Sequence, residues 1–187
     1  MLRARVVILS IGISLLMASC GVLLPSHDYY AVGVARIGDR IHIYAPLCDG
    51  EQVVGVEAID NQAAAKVPDF DPTSMRFTYW KVADPTEAPI AEGWITLGDS
   101  SGYRTTTIEA GSNIGLPEFV GITLRLNVKG GQHTVADVIV ISEAPEYPAD
   151  ADPQVVKYTY RDKSGGEGPR NAQEIREDSG CAANYPA

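Results

Sequence analysis

Two kinds of hydrophobic pattern divide this chain. From Val6 to Leu24 the residues are apolar or small, with no charge among them. From Tyr30 onwards apolar positions alternate with polar or small ones at a period of two, the spacing of half-buried strands. Tyr30, Val32 and Val34 start the second pattern. Ile37-Gly38-Asp39-Arg40 then offers a tight turn with glycine at its first central position, and Ile41, Ile43 and Ala45 alternate on the return. This register sets Val34 opposite Ile43 and Val32 opposite Ala45, and leaves His42 and Tyr44 on the other face. Further strands are predicted over 53–60, 75–82, 93–97, 104–109 and 155–160.

The most regular alternation lies between Gly121 and Ser142. Ile122, Leu124, Leu126 and Val128 interleave with Thr123, Arg125 and Asn127 before Lys129-Gly130-Gly131-Gln132 reverses the chain. A two-residue loop there would set Leu124 opposite Asp137 and bury a carboxylate against a leucine. A three-residue loop with Gly131 in the left-handed region instead stacks Ile122, Leu124 and Leu126 on Ala136, Val138 and Val140, with Arg125 on the same face as Asp137. The second register is the expected one. Val135, Ile139 and Ile141 make the other face partly apolar too, which predicts a central position for this return strand.

Seven or eight short strands with turn signals every ten to fifteen residues predict a mainly β fold, an antiparallel β-sandwich. An immunoglobulin-like arrangement is the natural topology, although the Cys…Trp…Cys spacing of true immunoglobulin domains is absent. Towards the C-terminus, 144–153 reads as loop and the glycine-rich 164–169 as a flexible link. Asn171 with Glu174 three residues on has the form of a capping box, opening one short helix that Gly180 closes. The expected organisation is a leader over 1–19, a tether over 20–28, a sandwich over 29–160, and a linker with the C-terminal helix over 161–187.

With 187 residues there is room for one ordinary domain, and 45% hydrophobic against 21% charged residues is enough to bury a core. The net charge of −9 becomes −11 if Arg3 and Arg5 leave with the first nineteen residues. Such a surface repels phosphate backbones and anionic head groups, so nucleic acid is not an expected partner.

The uncharged N-terminal run changes the picture. Arg3 and Arg5, the apolar stretch after them and the small residues Ala18 and Ser19 have the order of an export signal. Leu16-Met17-Ala18-Ser19-Cys20 resembles the lipobox of bacterial lipoproteins, although Met17 stands where that pattern usually has leucine. The resemblance implies that Cys20 receives a diacylglyceryl group and becomes the new N-terminus. Two acyl chains matter here, because a single myristoyl-length chain binds membranes at only about 10⁴ M⁻¹. Two alternatives stay open. The nineteen uncharged residues from Val6 to Leu24 meet the length of an uncleaved spanning helix, and ordinary cleavage near Ala18 would release a soluble form. A lipid anchor and a spanning anchor both leave the domain on the extracytoplasmic face, since Arg3 and Arg5 keep the start cytoplasmic.

Cys48 and Cys181 are the cysteines left after Cys20. In an oxidising compartment an isolated pair is usually joined, and closing their loop of 133 residues would remove about 5 kcal/mol of unfolded-chain entropy on the loop-length model. The expected disulfide holds the C-terminal segment to the strand end near Ala45. Pro46-Leu47-Cys48-Asp49-Gly50-Glu51, then Val54-Gly55-Val56-Glu57 and a cysteine near the C-terminus, resemble small lipoproteins of high-GC Gram-positive bacteria, a group without an assigned activity.

Candidate chemistry is sparse. Gly98-Asp99-Ser100-Ser101-Gly102 matches G-x-S-x-G, but a nucleophile elbow needs a helix after it, and Tyr103 to Thr107 reads as a strand. His27, His42 and His133 show no metal-ligand spacing. The acid pairs Asp49/Glu51, Asp69/Asp71 and Asp150/Asp152 lack the glycine and closing glutamate of a calcium loop. Tyr79, Trp80 and Trp94 fall in strands and read as core. The expectation is therefore no catalytic, metal or cofactor residues. What remains is a membrane-tethered binding or structural module of the cell envelope, held by membrane lipid through Cys20 and meeting an envelope protein or glycan. The alternative is a small envelope hydrolase with a site assembled from distant strands.

Overall fold

The computed structural model describes residues 30–179 except 72, 130 and 163; Cys20 with its leader and tether, His27, Gly180 and Cys181 lie outside the described residues. The alternating segments pair into two sheets that face each other across one core. In chain order the strands are β1 (Gly33–Ile37), β2 (Arg40–Tyr44), β3 (Gln52–Asp60), β4 (Thr78–Pro85), β5 (Trp94–Thr96), β6 (Tyr103–Ile108), β7 (Phe119–Val128), β8 (Gly131–Val140), β9 (Glu146–Tyr147), β10 (Tyr158–Arg161) and β11 (Glu167–Arg170). Three short helices join them: α1 (Asn61–Ala65), α2 (Ala88–Ala91) and α3 (Ala172–Ser179).

The first sheet runs β11-β10-β1-β2-β5, with β9 lying parallel to the end of β1; the second runs β6-β4-β3-β7-β8. The protein is thus a mainly β, antiparallel sandwich with one short C-terminal helix. Its order is not the immunoglobulin one. There the third and fourth strands part into different sheets, whereas β3 and β4 here are hydrogen-bonded neighbours. The β1–β2 hairpin has the expected register, Val34 opposite Ile43 and Ile37 opposite Arg40, with Gly38 at φ 61° in the turn. Val34, Ile43 and Ile95 face Trp80, Val56 and Leu124 of the second sheet inside the main core. Each such side chain contributes roughly 1.5–3 kcal/mol when fully buried.

The β7–β8 hairpin differs from its expected register. Val128 pairs with Gly131, Leu124 with Val135 and Ile122 with Asp137. Arg125 sits opposite Thr134, on the other face from Asp137. A carboxylate does point inwards, because one local and one distant N–H receive it. The Val32 N–H from the other sheet donates to Asp137 Oδ2 at 2.9 Å, and the Val138 N–H donates to Oδ1 at 2.8 Å. Val135 and Ile139 are buried while Val138 is 42% exposed. β8 is also an edge strand, not a central one. An inward-pointing charge is one of the devices that keep such an edge from pairing with another chain.

The outer face of the first sheet carries a second apolar layer. Ala35, Tyr44, Tyr158 and Tyr160 pack there beneath Ile175 of α3. The capping box forms as expected: Asn171 Oδ1 accepts from the Glu174 N–H at 2.9 Å and Glu174 Oε2 accepts from the Asn171 N–H at 2.8 Å. The second half of the stretch expected as a flexible link, 167–169, forms β11 together with Arg170 and pairs with β10. The Asp162 side chain organises the intervening turn, accepting from Ser164 and from the Gly166 N–H.

Candidate functional site

β5 is only three residues long and forms an edge of the first sheet. Its ladder sets Trp94 beside Tyr44 and Thr96 beside His42, while Ile95 turns into the core. Gly93 makes this approach possible: at φ 95°, a Cβ there would lie 2.3 Å from the Ala45 carbonyl oxygen. Trp94 and Tyr44 are in ring contact, with centroids 4.5 Å apart and planes at 41°.

After β5 the chain turns through Gly98-Asp99-Ser100-Ser101-Gly102 directly into β6, so the G-x-S-x-G match lies between two strands. Ser100 is committed to structure. Its hydroxyl accepts from Trp80 Nε1 at 3.0 Å and donates to Glu109 Oε2 at 2.8 Å. Asp99 ties the loop together: Oδ1 accepts from the Ser101 N–H at 3.0 Å and hydroxyl at 2.6 Å, and Oδ2 accepts from Arg40 Nη1 at 3.2 Å. The segment before β5 lies against this loop. The Thr86 N–H and hydroxyl both donate to the Gly102 carbonyl, and a Cβ at Gly102 would come within 2.2 Å of Ile90 Cδ1 on α2.

Between these elements and Pro153 lies a groove of about 220 Å³. Trp94, Tyr158, Ile90 and Pro153 give it apolar walls, and His42, Glu87, Thr96, Asp99, Ser101 and Tyr103 give it polar ones. The Ser101 hydroxyl and N–H hold the Asp99 carboxyl below the usual range, with help from Arg40. Burial, then the charge of Arg40, pushes the His42 imidazole down, so it is neutral at pH 7. Burial and then the Asp99 charge push the Tyr103 phenol up, so it stays protonated. Tyr103 is 8% exposed and meets Trp80 edge-on, yet its hydroxyl has no hydrogen-bond partner among the described residues.

Serine, histidine and aspartate on one groove are the ingredients of nucleophilic catalysis, but they are not wired for it. The Ser101 proton goes to Asp99, and His42 Nδ1 faces Thr96 Oγ1 at 3.4 Å. A serine nucleophile needs a base bonded to its hydroxyl. The groove instead sets an aromatic wall beside neutral and acceptor groups.

The other residues singled out in the sequence fall elsewhere. Trp80 is fully buried in the core and His133 lies on β8 opposite Leu126. Of the acid pairs, Asp71 accepts from Thr73, Glu51 from the Cys48 N–H and Asp152 from the Gln154 N–H. Asp49 pairs with Arg176 of α3 at 2.8 Å, which brings the helix against the loop that carries Cys48. Among the described residues no group of three or more His, Cys, Asp or Glu is placed to hold a metal, and no helix is long and apolar enough to cross a membrane. Glu87, Thr96 and Tyr103 were not flagged by the sequence, since separate long-range pairings bring them to the groove: β5 with β2 places Thr96 beside His42, and β4 with β6, through Pro85 opposite Tyr103 and Thr86 on Gly102, places the other two. Comparison with protein-family models, curated proteins and solved structures finds no match for the chain. The fold and groove define a class on their own terms: a β-sandwich domain with an aromatic-walled polar groove at a sheet edge.

Proposed function

We propose that this chain is a lipid-anchored binding module on the extracytoplasmic face of a cell membrane, and that the β5 groove is its binding surface. The observation that carries the second part is the groove itself, lined by Trp94 and by Tyr103, whose buried hydroxyl has no partner among the described residues. The first part rests on the order Arg3, Arg5, uncharged run, Ala18-Ser19-Cys20. A fragment screen on the full chain tests the binding role: resonances of His42, Trp94 and Tyr103 should shift together with the same compounds. Intact mass of the membrane fraction tests the anchor, for which a chain beginning at Cys20 and carrying a diacylglyceryl group is expected. A mature chain without that mass overturns it.

A second reading, a small envelope hydrolase, is favoured by the gathering of His42 on β2 with Asp99 and Ser101 of the 98–102 turn. Its test is labelling by a fluorophosphonate ester. Modified Ser101, lost in Ser101→Ala, would replace the binding reading; an unlabelled groove is the expected result.

A further inference from the structure

We infer that the β5 groove takes a neutral, hydroxyl-rich ring, a sugar residue of a glycan, packed on Trp94 with one of its hydroxyls bonded to Tyr103. The inference rests on the reading of the groove as a binding surface. Size sets the first limit. About 220 Å³ is below the range of pockets for drug-sized ligands, roughly 300–1,000 Å³, so one ring fits and a longer chain must leave into solvent.

Charge sets the second. Glu87 and Asp99 line the groove of a protein with net charge −9, which disfavours an anion. A cation fares little better. Asp99 is already engaged by Arg40 and Ser101, and Arg40 repels a second positive group brought to the same carboxylate. The neutral ligand that remains must also satisfy the polar wall. An unpaired buried hydroxyl costs about 1–3 kcal/mol, a cost that a ligand group bonding to Tyr103 would offset. A purely apolar ligand would leave that hydroxyl unpaired and strip water from Asp99 and His42 as well. A sugar hydroxyl both donates and accepts, so it can meet the Tyr103 phenol, the neutral His42 ring and a carboxylate oxygen. The C–H face of a pyranose ring is apolar and suits the indole of Trp94, with Ile90 and Pro153 beside it.

The test uses the full chain in polyoxyethylene detergent, which has no sugar head group, followed through its two ¹⁵N-labelled indoles. Trp80, fully buried and bonded to Ser100, is the internal control. The probes are glucose, galactose, mannose and N-acetylglucosamine, with tetramethylammonium and inorganic phosphate as comparators. At least one sugar should shift Trp94 saturably and leave Trp80 in place. Sugar binding measured by titration calorimetry, which does not depend on the Trp94 indole, should be abolished in Trp94→Ala, and Tyr103→Phe should raise Kd about 2- to 10-fold, the equivalent of one hydrogen bond. Saturation by tetramethylammonium or phosphate with no response to any sugar would overturn the ligand class and leave the binding surface standing. Silence towards every probe, together with an empty fragment screen, would remove both. Sugar binding unchanged in both variants would put the site elsewhere and overturn the inference.

Discussion

Ile175→Ala is the sharpest test of how the C-terminal helix is held. Ile175 is fully buried, and its Cδ1 occupies space that Gly33 leaves open. A Cβ at Gly33 would lie 2.7 Å from that methyl and 2.8 Å from Tyr158 Cβ. Truncation removes three carbons, about 2.4 kcal/mol of transfer free energy at roughly 0.8 per group. The walls of the resulting hole cannot close, because β1 and β10 are fixed by their ladders to β2, β11 and each other. The residual cavity raises the total to about 3–4 kcal/mol, within the roughly 2–5 kcal/mol seen for such truncations. Alanine's better helix propensity returns at most a few tenths. Urea unfolding of the full chain should show that loss, and Ile175→Val should show about 1 kcal/mol. Hydrogen exchange should rise first across 172–179, since a helix of eight residues is marginal without its docking face. A loss under about 1 kcal/mol with unchanged exchange in α3 would refute the argument that Ile175 docks the helix.

Three further outcomes follow from the same geometry. Burial raises the Asp137 carboxyl against the two N–H groups that lower it, so its ionisation opposes folding; stability is full below the unfolded value near 3.9 and falls as pH rises through the folded value. Asp137→Asn should flatten that fall, and identical urea midpoints for both proteins from pH 3 to 7 would refute it. Tyr103→Phe should stabilise the protein by about 1 kcal/mol, because it removes an unpaired buried hydroxyl; destabilisation would mean that the hydroxyl is bonded after all. If Cys48 and Cys181 are joined, the oxidised, denatured chain should yield no reactive thiol from either, and reduction should lower Tm and open 164–179 to protease; two thiols would rule the bridge out.

The hairpins divide into what local sequence determines and what it does not. β1–β2 was legible because its turn is closed by a glycine that tolerates φ 61° and both strands alternate cleanly. The helix was legible for a similar reason: Asn171 and Glu174 satisfy each other's backbone within three residues. At β7–β8 the same logic misled. The one alternative weighed, with Leu124 opposite Asp137, was rejected because it buried that carboxylate, yet the N–H that makes its burial opposite Ile122 tolerable belongs to Val32, 105 residues away and leading into β1 of the other sheet. Alternation on two faces also suggested a central strand, although an edge strand covered on one face can carry a valine outward at Val138.

The groove was hidden for a deeper reason. Its polar wall comes from His42, Glu87, Thr96 and the 99–103 turn, positions that no period of two or 3.6 connects. They meet because β5 stops after three residues and the chain turns at Gly98, where φ is 83°, into the 99–103 segment. So short a strand gives almost no periodic signal. The shortness that opens the groove is therefore also what conceals it. Tyr103 makes the point residue by residue: it precedes the strand predicted over 104–109, and only the fold shows it buried with its hydroxyl lacking a partner among the described residues and the Asp99 charge nearby.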